Sequence, residues 1–244
     1  MKLYGLIGFP LTHSFSARYF SQKFEQEQLN NCQYQNFEIE HVDELKTILS
    51  ANPDLCGLNV TIPHKSTVIP LLDELSEDAR NIGAVNVISI INGKTIGYNT
   101  DAFGFKQSLN GWLPGDIKGA LILGTGGASK AIVFVLKQMG ISVKIVSRKS
   151  GADLTYEQID QAILDNHQLI INCTPMGTSP ETNSCPDLPY SMLTKNHYLY
   201  DLVYNPAETA FMKQGVKFGA KTKNGFQMLI LQAEAAWKIW NPAN

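Results

Sequence analysis

The sequence predicts an α/β fold in two domains, one built on a mixed sheet and the other on a parallel sheet. Three observations predict it. From residue 101 onward, short apolar runs alternate with segments of helical period, the pattern of parallel strands joined by right-handed crossovers. In the first hundred residues, Asn92-Gly93 stands between two strand-like runs, a hairpin signal that brings antiparallel pairing into that half. Gly124-Thr125-Gly126-Gly127-Ala128 follows an apolar run and opens a helix, which marks a strand–turn–helix unit.

Taken in order, residues 4–8 read as a short buried strand broken by Pro10 and the polar run 12–14. Ser16 is placed to cap a helix through about residue 28, with Tyr19, Phe20 and Phe24 at helical spacing. Residues 34–39 alternate as a strand, 42–49 have helical period, and 55–62 form a strand that stops at Pro63. A helix is expected from there through residue 72, and the hairpin strands occupy 84–91 and 95–98. A further helix runs from 101 to about 112 and is closed by Pro114-Gly115. Strands then follow at 120–123, 143–147, 169–173 and 198–203, separated by helices at 127–139, 156–166 and 207–214. The segment 226–240 is an amphipathic helix after Asn224-Gly225. It has no strand partner of its own and is expected to return to the first domain. The division expected is therefore 1–100 plus 225–244 for the first domain and 101–224 for the second. The loop 174–189, with its prolines and small polar residues, is the expected mobile element.

At 44% hydrophobic and 17% charged, 244 residues can bury a core without a metal or disulfide staple. A net charge of -2 argues against nucleic acid or an anionic membrane as the main partner. Cys32, Cys56, Cys173 and Cys185 form no C-x-x-C pair, so no metal is expected. The first strand begins at once without a secretory pattern, and no apolar run approaches the roughly 20 residues of a bilayer span. A cytoplasmic location with reduced thiols is the expectation.

The glycine turn at Gly124, Thr125, Gly126, Gly127 and Ala128 has the form that seats a dinucleotide pyrophosphate. Glycine lets the backbone approach the phosphates, and the helix start offers N–H groups and positive dipole. Ser129 stands where the usual fingerprint has its third glycine. A tight turn with no ligand is the competing reading. The next strand ends at Ser147-Arg148-Lys149 with no Asp or Glu to hold a ribose 2′-hydroxyl. Two cations suit a 2′-phosphate, and the Arg148 guanidinium is a planar fork for its oxygens. NADP is favoured over NAD; a solvated basic turn competes.

A second polar set lies in the first domain. Ser14 and Ser16 follow the first strand and can bind a carboxylate, although helix capping competes for Ser16. Asn59 and Thr61 share a strand face by period-two alternation, and Asn86 ends a short apolar stretch. Lys65 has no acidic neighbour in sequence, and Asp101 is equally placed to cap the helix that follows it. An ammonium and a carboxylate facing one site can move a proton. His64 and His13 are rivals for that role because histidine titrates nearest neutrality. A site for a polyhydroxylated acid together with a dinucleotide site suggests hydride transfer.

Read in register, Gly8-x-Pro10-x-x-His13-Ser14-x-Ser16, Gly57-Leu-Asn59-Val-Thr61-Ile-Pro-His-Lys65, Gly83-Ala-Val-Asn86 and Gly97-Tyr-Asn-Thr-Asp101 form one pattern. It continues with Gly124-x-Gly-Gly-Ala128, Asn172-Cys-Thr174-Pro-Met176-Gly177, Asp201-Leu202-Val-Tyr204-Asn-Pro206 and Asn224-Gly225-x-x-Met228-Leu-x-x-Gln232-Ala. The chain thereby resembles the shikimate dehydrogenase family over almost its whole length. The resemblance implies reversible, NADP(H)-linked reduction of 3-dehydroshikimate to shikimate on the way to chorismate and the aromatic amino acids. It implies a substrate-binding catalytic domain and a Rossmann-like NADP-binding domain with the site in the cleft between them. Lys65 and Asp101 become the catalytic pair, both also touching substrate. Ser14 and Ser16 hold the carboxylate, Asn59, Thr61, Asn86 and Gln232 meet hydroxyls, and Tyr204 lies near the substrate. Ser147, Arg148 and Lys149 take the 2′-phosphate end of the cofactor. Thr174, Met176, Leu202, Gly225 and Met228 border it elsewhere, the last glycine and methionine at the nicotinamide. The state implied is a monomer or homodimer. Two departures stand out: the family's Asn-Arg-Thr is here Ser147-Arg148-Lys149, and a basic residue common three positions further on is Ala152. Relatives that use quinate change the serine pair, and both serines are present here. The alternatives are an NAD-using quinate and shikimate dehydrogenase, and a non-catalytic NADP(H)-binding redox sensor.

Overall fold

The computed structural model describes residues 1–11, 14–148 and 151–242. The chain divides into two compact units, Met1–Thr100 with Gln232–Asn244, and Asp101–Leu231. Each carries its own sheet.

The first unit runs β1 (Lys2–Gly8), α1 (Phe15–Gln26), β2 (Cys32–Glu38), α2 (Leu45–Ala51), β3 (Leu55–Val60), β4 (Glu74–Leu75), α3 (Glu77–Ile82), β5 (Val87–Ile91) and β6 (Lys94–Tyr98). Its sheet has the order β2-β1-β3-β5-β6-β4. β1 pairs in parallel with β2 and β3, whereas β5 is antiparallel to both β3 and β6, so the sheet is mixed as expected. Asn92 and Gly93 both take positive φ, 52° and 78°, the conformation a two-residue hairpin turn needs. β1 is buried on both faces. Leu3 and Ile7 join the cluster of Leu58, Val60 and Ile88, and Tyr4 and Leu6 join the aromatic cluster of Phe20, Phe24, Tyr34 and Trp240.

Two local expectations are corrected here. Ser14, not Ser16, caps α1, its hydroxyl accepting from Ala17 N at 3.3 Å. No α-helix follows Pro63; a single 3-10 turn at Ile69–Leu71 takes its place. Pro70 removes a backbone donor, and Thr67, Val68 and Ile69 are β-branched, so a longer helix has little to stabilise it. The pair β4 and α3 is new. Ser76 caps α3 by accepting from Ala79 N at 3.2 Å, and Gly83 closes it at φ 68°.

The second unit runs α4 (Asp101–Leu109), β7 (Gly119–Leu123), α5 (Gly127–Gln138), β8 (Ser142–Val146), α6 (Gln161–Asn166), β9 (Leu169–Asn172), β10 (Tyr198–Asp201), α7 (Ala210–Lys217), β11 (Lys221–Asn224) and the start of α8 (Phe226–Trp240). All five strands are parallel, in the order β11-β10-β9-β7-β8. β7, β9 and β10 are buried along their whole length, as central strands of a sheet covered on both faces must be. α4 ends three residues early because Gly111 turns the chain at φ 73°. The 156–166 segment is a 3-10 turn followed by α6, which Asp160 caps through Ile163 N at 2.8 Å. α7 begins at Ala210 because Thr209 caps it. β11 was not expected, since Lys-Thr-Lys-Asn at a sheet edge carries no apolar alternation. The chain passes between the units at residues 100/101 and again within α8 at 231/232. Among the described residues, no helix is long and apolar enough to cross a membrane.

Candidate active site

The first unit gathers carboxamides and hydroxyls at one end of its sheet. Asn59 lies in β3, Asn86 immediately precedes β5, and Gln232 is the first residue that α8 contributes to this unit. All three are buried. Asn59 Nδ2 donates to Asn86 O at 3.4 Å, and Asn86 Nδ2 donates to Gln232 Oε1 at 3.3 Å. Each amide has two donor and two acceptor directions, so orientation has to be imposed by neighbours. Tyr34 imposes it on Asn59, its hydroxyl donating to Oδ1 at 2.7 Å. Burial drives the Tyr34 phenol far up in pKa, and Ser16 hydrogen-bonds the same phenol. Thr100 imposes it on Asn86, whose Oδ1 accepts from Thr100 N at 2.6 Å while Nδ2 donates to Thr100 Oγ1 at 3.0 Å. Tyr34 and Thr100 were not singled out from sequence. Strand alternation turns Tyr34 inward but does not reveal a partner 25 residues away.

Gln232 keeps its place because α8 is held to α1. Lys23 Nζ pairs with Glu234 at 2.9 Å and with Glu27 at 2.7 Å, and Tyr19 hydrogen-bonds the same Glu234 carboxylate. Thr61 lies just beyond β3, half-buried, with N donating to Ile7 O at 2.9 Å. Its methyl group packs where a Cβ on Gly8 would be. Ser14 is engaged in capping, and Ser16 sits in the first turn of α1.

Lys65 is half-buried, and its carbonyl accepts from Val85 N at 2.7 Å, which ties its backbone to the residue before Asn86. Asp101 is the first residue of α4 and is buried. It directly follows Thr100, whose own N–H is fixed on Asn86. His64 is 3% exposed, and its Nε2 donates to Ile39 O at 2.8 Å. A carbonyl only accepts, so that nitrogen carries the proton and the ring serves packing. His13 lies outside the described residues.

In the second unit, the glycine turn joins β7 to α5. Gly124 takes φ 106° and donates to Val146 O at 2.9 Å. A Cβ there would press on Thr174, so the turn also lies against the loop after β9. Gly126 is the N-cap of α5, with no capping side chain and open space where a Cβ would point. Thr125 and Gly126 are exposed, with Gly127 and Ala128 half-buried. Ser129 is buried and its hydroxyl turns back to Gly126 O at 2.6 Å, so it fills the third-glycine position without reaching outward. An uncapped 12-residue helix with a glycine approach fits a phosphate-bearing cofactor.

Ser147 and Arg148 follow β8, half-buried and exposed respectively; Lys149 lies outside the described residues. Thr174 and Met176 belong to the loop after β9, and Leu202 and Tyr204, both half-buried, to the loop after β10. Gly225 packs so closely on Leu202 that a Cβ would overlap the Leu202 carbonyl, and Met228 is buried one turn further along α8. Among the described residues, no group of His, Cys, Asp and Glu gathers at metal-binding spacing.

Residues 6–88 match the family model of the shikimate dehydrogenase substrate binding domain. The chain is 40% identical over 259 residues to a protein from Methanococcus maripaludis strain C7 named shikimate dehydrogenase (NADP(+)), covering 98% of this chain and 91% of that one. The shikimate dehydrogenase structure from Aquifex aeolicus matches with a TM-score of 0.87 at 35% identity, covering 100% of this chain and 93% of that one. Shikimate 5-dehydrogenase from Thermus thermophilus, solved in complex with NADP(H) and shikimate, matches with a TM-score of 0.86 at 29% identity, covering 100% and 94%. Likeness of sequence and fold extends over both units, and the chain belongs to the shikimate dehydrogenase family.

Proposed function

We propose that this chain catalyses the reversible NADPH-dependent reduction of 3-dehydroshikimate to shikimate, in the route to chorismate and the aromatic amino acids. The observation that carries the reading is the buried array Asn59–Asn86–Gln232, oriented by Tyr34 and Thr100, in a chain of this family. Pre-oriented amides recognise ring hydroxyls by direction as well as by number. Thr61 joins them, and Ser14 and Ser16 receive the carboxylate. Lys65 and Asp101 carry the proton chemistry: in the reductive direction the Lys65 ammonium donates to the oxygen of the ketone as it becomes an alcohol. The same positive charge stabilises the developing oxyanion, so no metal is required. Tyr204 borders the substrate.

The bound cofactor supplies the hydride. Gly124 to Ala128 hold its pyrophosphate at the start of α5, and Ser147, Arg148 and Lys149 hold the 2′-phosphate. Thr174, Met176, Leu202, Gly225 and Met228 line the nicotinamide end. The direct test is absorbance at the reduced-nicotinamide band with purified protein, shikimate and NADP+. Rapid reduction is expected, with kcat/KM higher than for quinate or for NAD+. Dinucleotide binding without turnover would instead support a sensor. Arg148→Ala removes charge-assisted hydrogen bonds of about 1.5–3 kcal/mol, so KM for NADP+ should rise roughly ten- to hundredfold while KM for NAD+ stays level. An equal change in both values would remove Arg148 from 2′-phosphate recognition.

A further inference from the structure

Asp201 ends β10 with a fully buried carboxylate that has no Lys or Arg partner among the described residues. It is held by three donors instead. Thr209 Oγ1 donates to Oδ2 at 2.6 Å, while Asn172 Nδ2 and Val203 N donate to Oδ1 at 2.9 and 3.0 Å. Asn172, also fully buried, ends the neighbouring strand β9. Its Oδ1 accepts from both Thr174 N and Thr174 Oγ1, at 3.0 and 2.6 Å, and Thr174 Oγ1 accepts from Met176 N at 3.3 Å. One carboxylate therefore fixes the amide of Asn172, and that amide shapes the loop after β9. The same carboxylate bonds the loop after β10 at Val203 and at its far end, Thr209.

We propose that Asp201 is a positioning residue that sets the 173–178 and 202–209 loops for nucleotide binding through Asn172 and Thr209. The inference rests on the functional reading above, in which Thr174, Met176 and Leu202 border the nicotinamide. Stability alone does not account for the group. Burial raises the Asp201 carboxyl from 3.8 to about 6, against the lowering effect of its three donors. A carboxyl raised in the folded state contributes stability below pH 3.8 that is lost as pH climbs through about 6. At neutral pH the chain thus keeps a charge that opposes folding. Cys173 and Tyr190 also feel Asp201; burial raises both, so neither ionises in this range.

The test compares Asp201→Ala, Thr209→Val and Thr209→Ser in the full chain. Asp201→Ala removes the acceptor of Asn172, Val203 and Thr209 together, and Thr209→Val removes the hydroxyl at nearly constant volume. Both should weaken NADP+ binding, measured by calorimetry, about tenfold with shikimate affinity unchanged; Thr209→Ser should bind like the parent. Amide hydrogen exchange at Thr174, Met176 and Val203 should accelerate in Asp201→Ala and not in the serine variant. Between pH 4 and 6, the parent should lose stability relative to Asp201→Ala. Unchanged exchange at those amides would overturn the positioning role whatever the ligand. Faster exchange with unchanged NADP+ affinity would overturn the link to the nucleotide. A parent protein that binds no NADP+ would overturn the functional reading itself, and is recognised by its own titration.

Discussion

Lys65→Ala should lower kcat about a hundred- to ten-thousandfold, the range that a positioned general acid supplies, while KM for shikimate changes little. The two parameters separate because the amides and hydroxyls proposed to hold the ring belong to other residues. Asn59 is oriented by Tyr34 and Asn86 by Thr100. Truncation should also leave the fold intact. The bond from Val85 N to Lys65 O is a backbone bond, and the side chain is only half-buried, so no deep cavity opens. Steady-state kinetics in both directions, with circular dichroism as a folding control, provide the check. The loss should be largest in the reductive direction at high pH, where water is the poorest substitute donor. If kcat stays within about threefold of the parent, less than any positioned acid contributes, the proton comes from elsewhere. His64 is a poor replacement, because its Nε2 proton is committed to Ile39 O.

What the sequence makes legible depends on whether the signal is local. The Asn92-Gly93 turn needs only its own backbone preference and two flanking apolar runs, and it appears where expected. The α8 helix begins at Phe226 and ends at Trp240 as its period implies. The glycine turn joins β7 to α5 for the same reason. Failures occur where short or polar elements rely on tertiary partners. β4 is two residues long and exists by pairing with β6. β11 is polar and exists by pairing with β10. The site shows the same division. Residue types such as Asn59, Lys65 and Asp101 carry a chemical signal in the sequence. The groups that orient Asn59, Asn86 and Asn172 do not: Tyr34 reads as the first residue of an alternating strand, Thr100 as the residue before a helix, and Asp201 as one residue within the 198–203 strand. Their roles are hydrogen bonds to residues 8 to 29 positions away, which periodicity cannot encode.

Trp240→Ala should destabilise the first unit by about 3–5 kcal/mol, the usual loss for deleting a large buried aromatic side chain. The indole is 7% exposed and stacks on Tyr4 at 5.0 Å, with Phe20 at 5.5 Å. Its Nε1 donates to Ile88 O at 2.9 Å, so truncation also strips a buried carbonyl of that donor. Gly57 shows how closely the ring is fitted, since a Cβ there would overlap the indole. The loss can be read by urea unfolding from the fluorescence of Trp237, which remains in the same aromatic cluster. Trp240→Phe keeps part of the ring contact and loses the hydrogen bond, so it should fall between parent and alanine variant. A functional consequence accompanies the structural one. The last residues of α8 anchor the helix that carries Gln232, whose Oε1 accepts from Asn86 Nδ2. Loosening that anchor should raise KM for shikimate while leaving NADP+ affinity near the parent value, because the glycine turn and its loops belong to the other unit. A Trp240→Ala variant within about 1 kcal/mol of the parent, well short of a large-to-small core loss, would show that the C-terminal helix is not an integral part of the first unit's core.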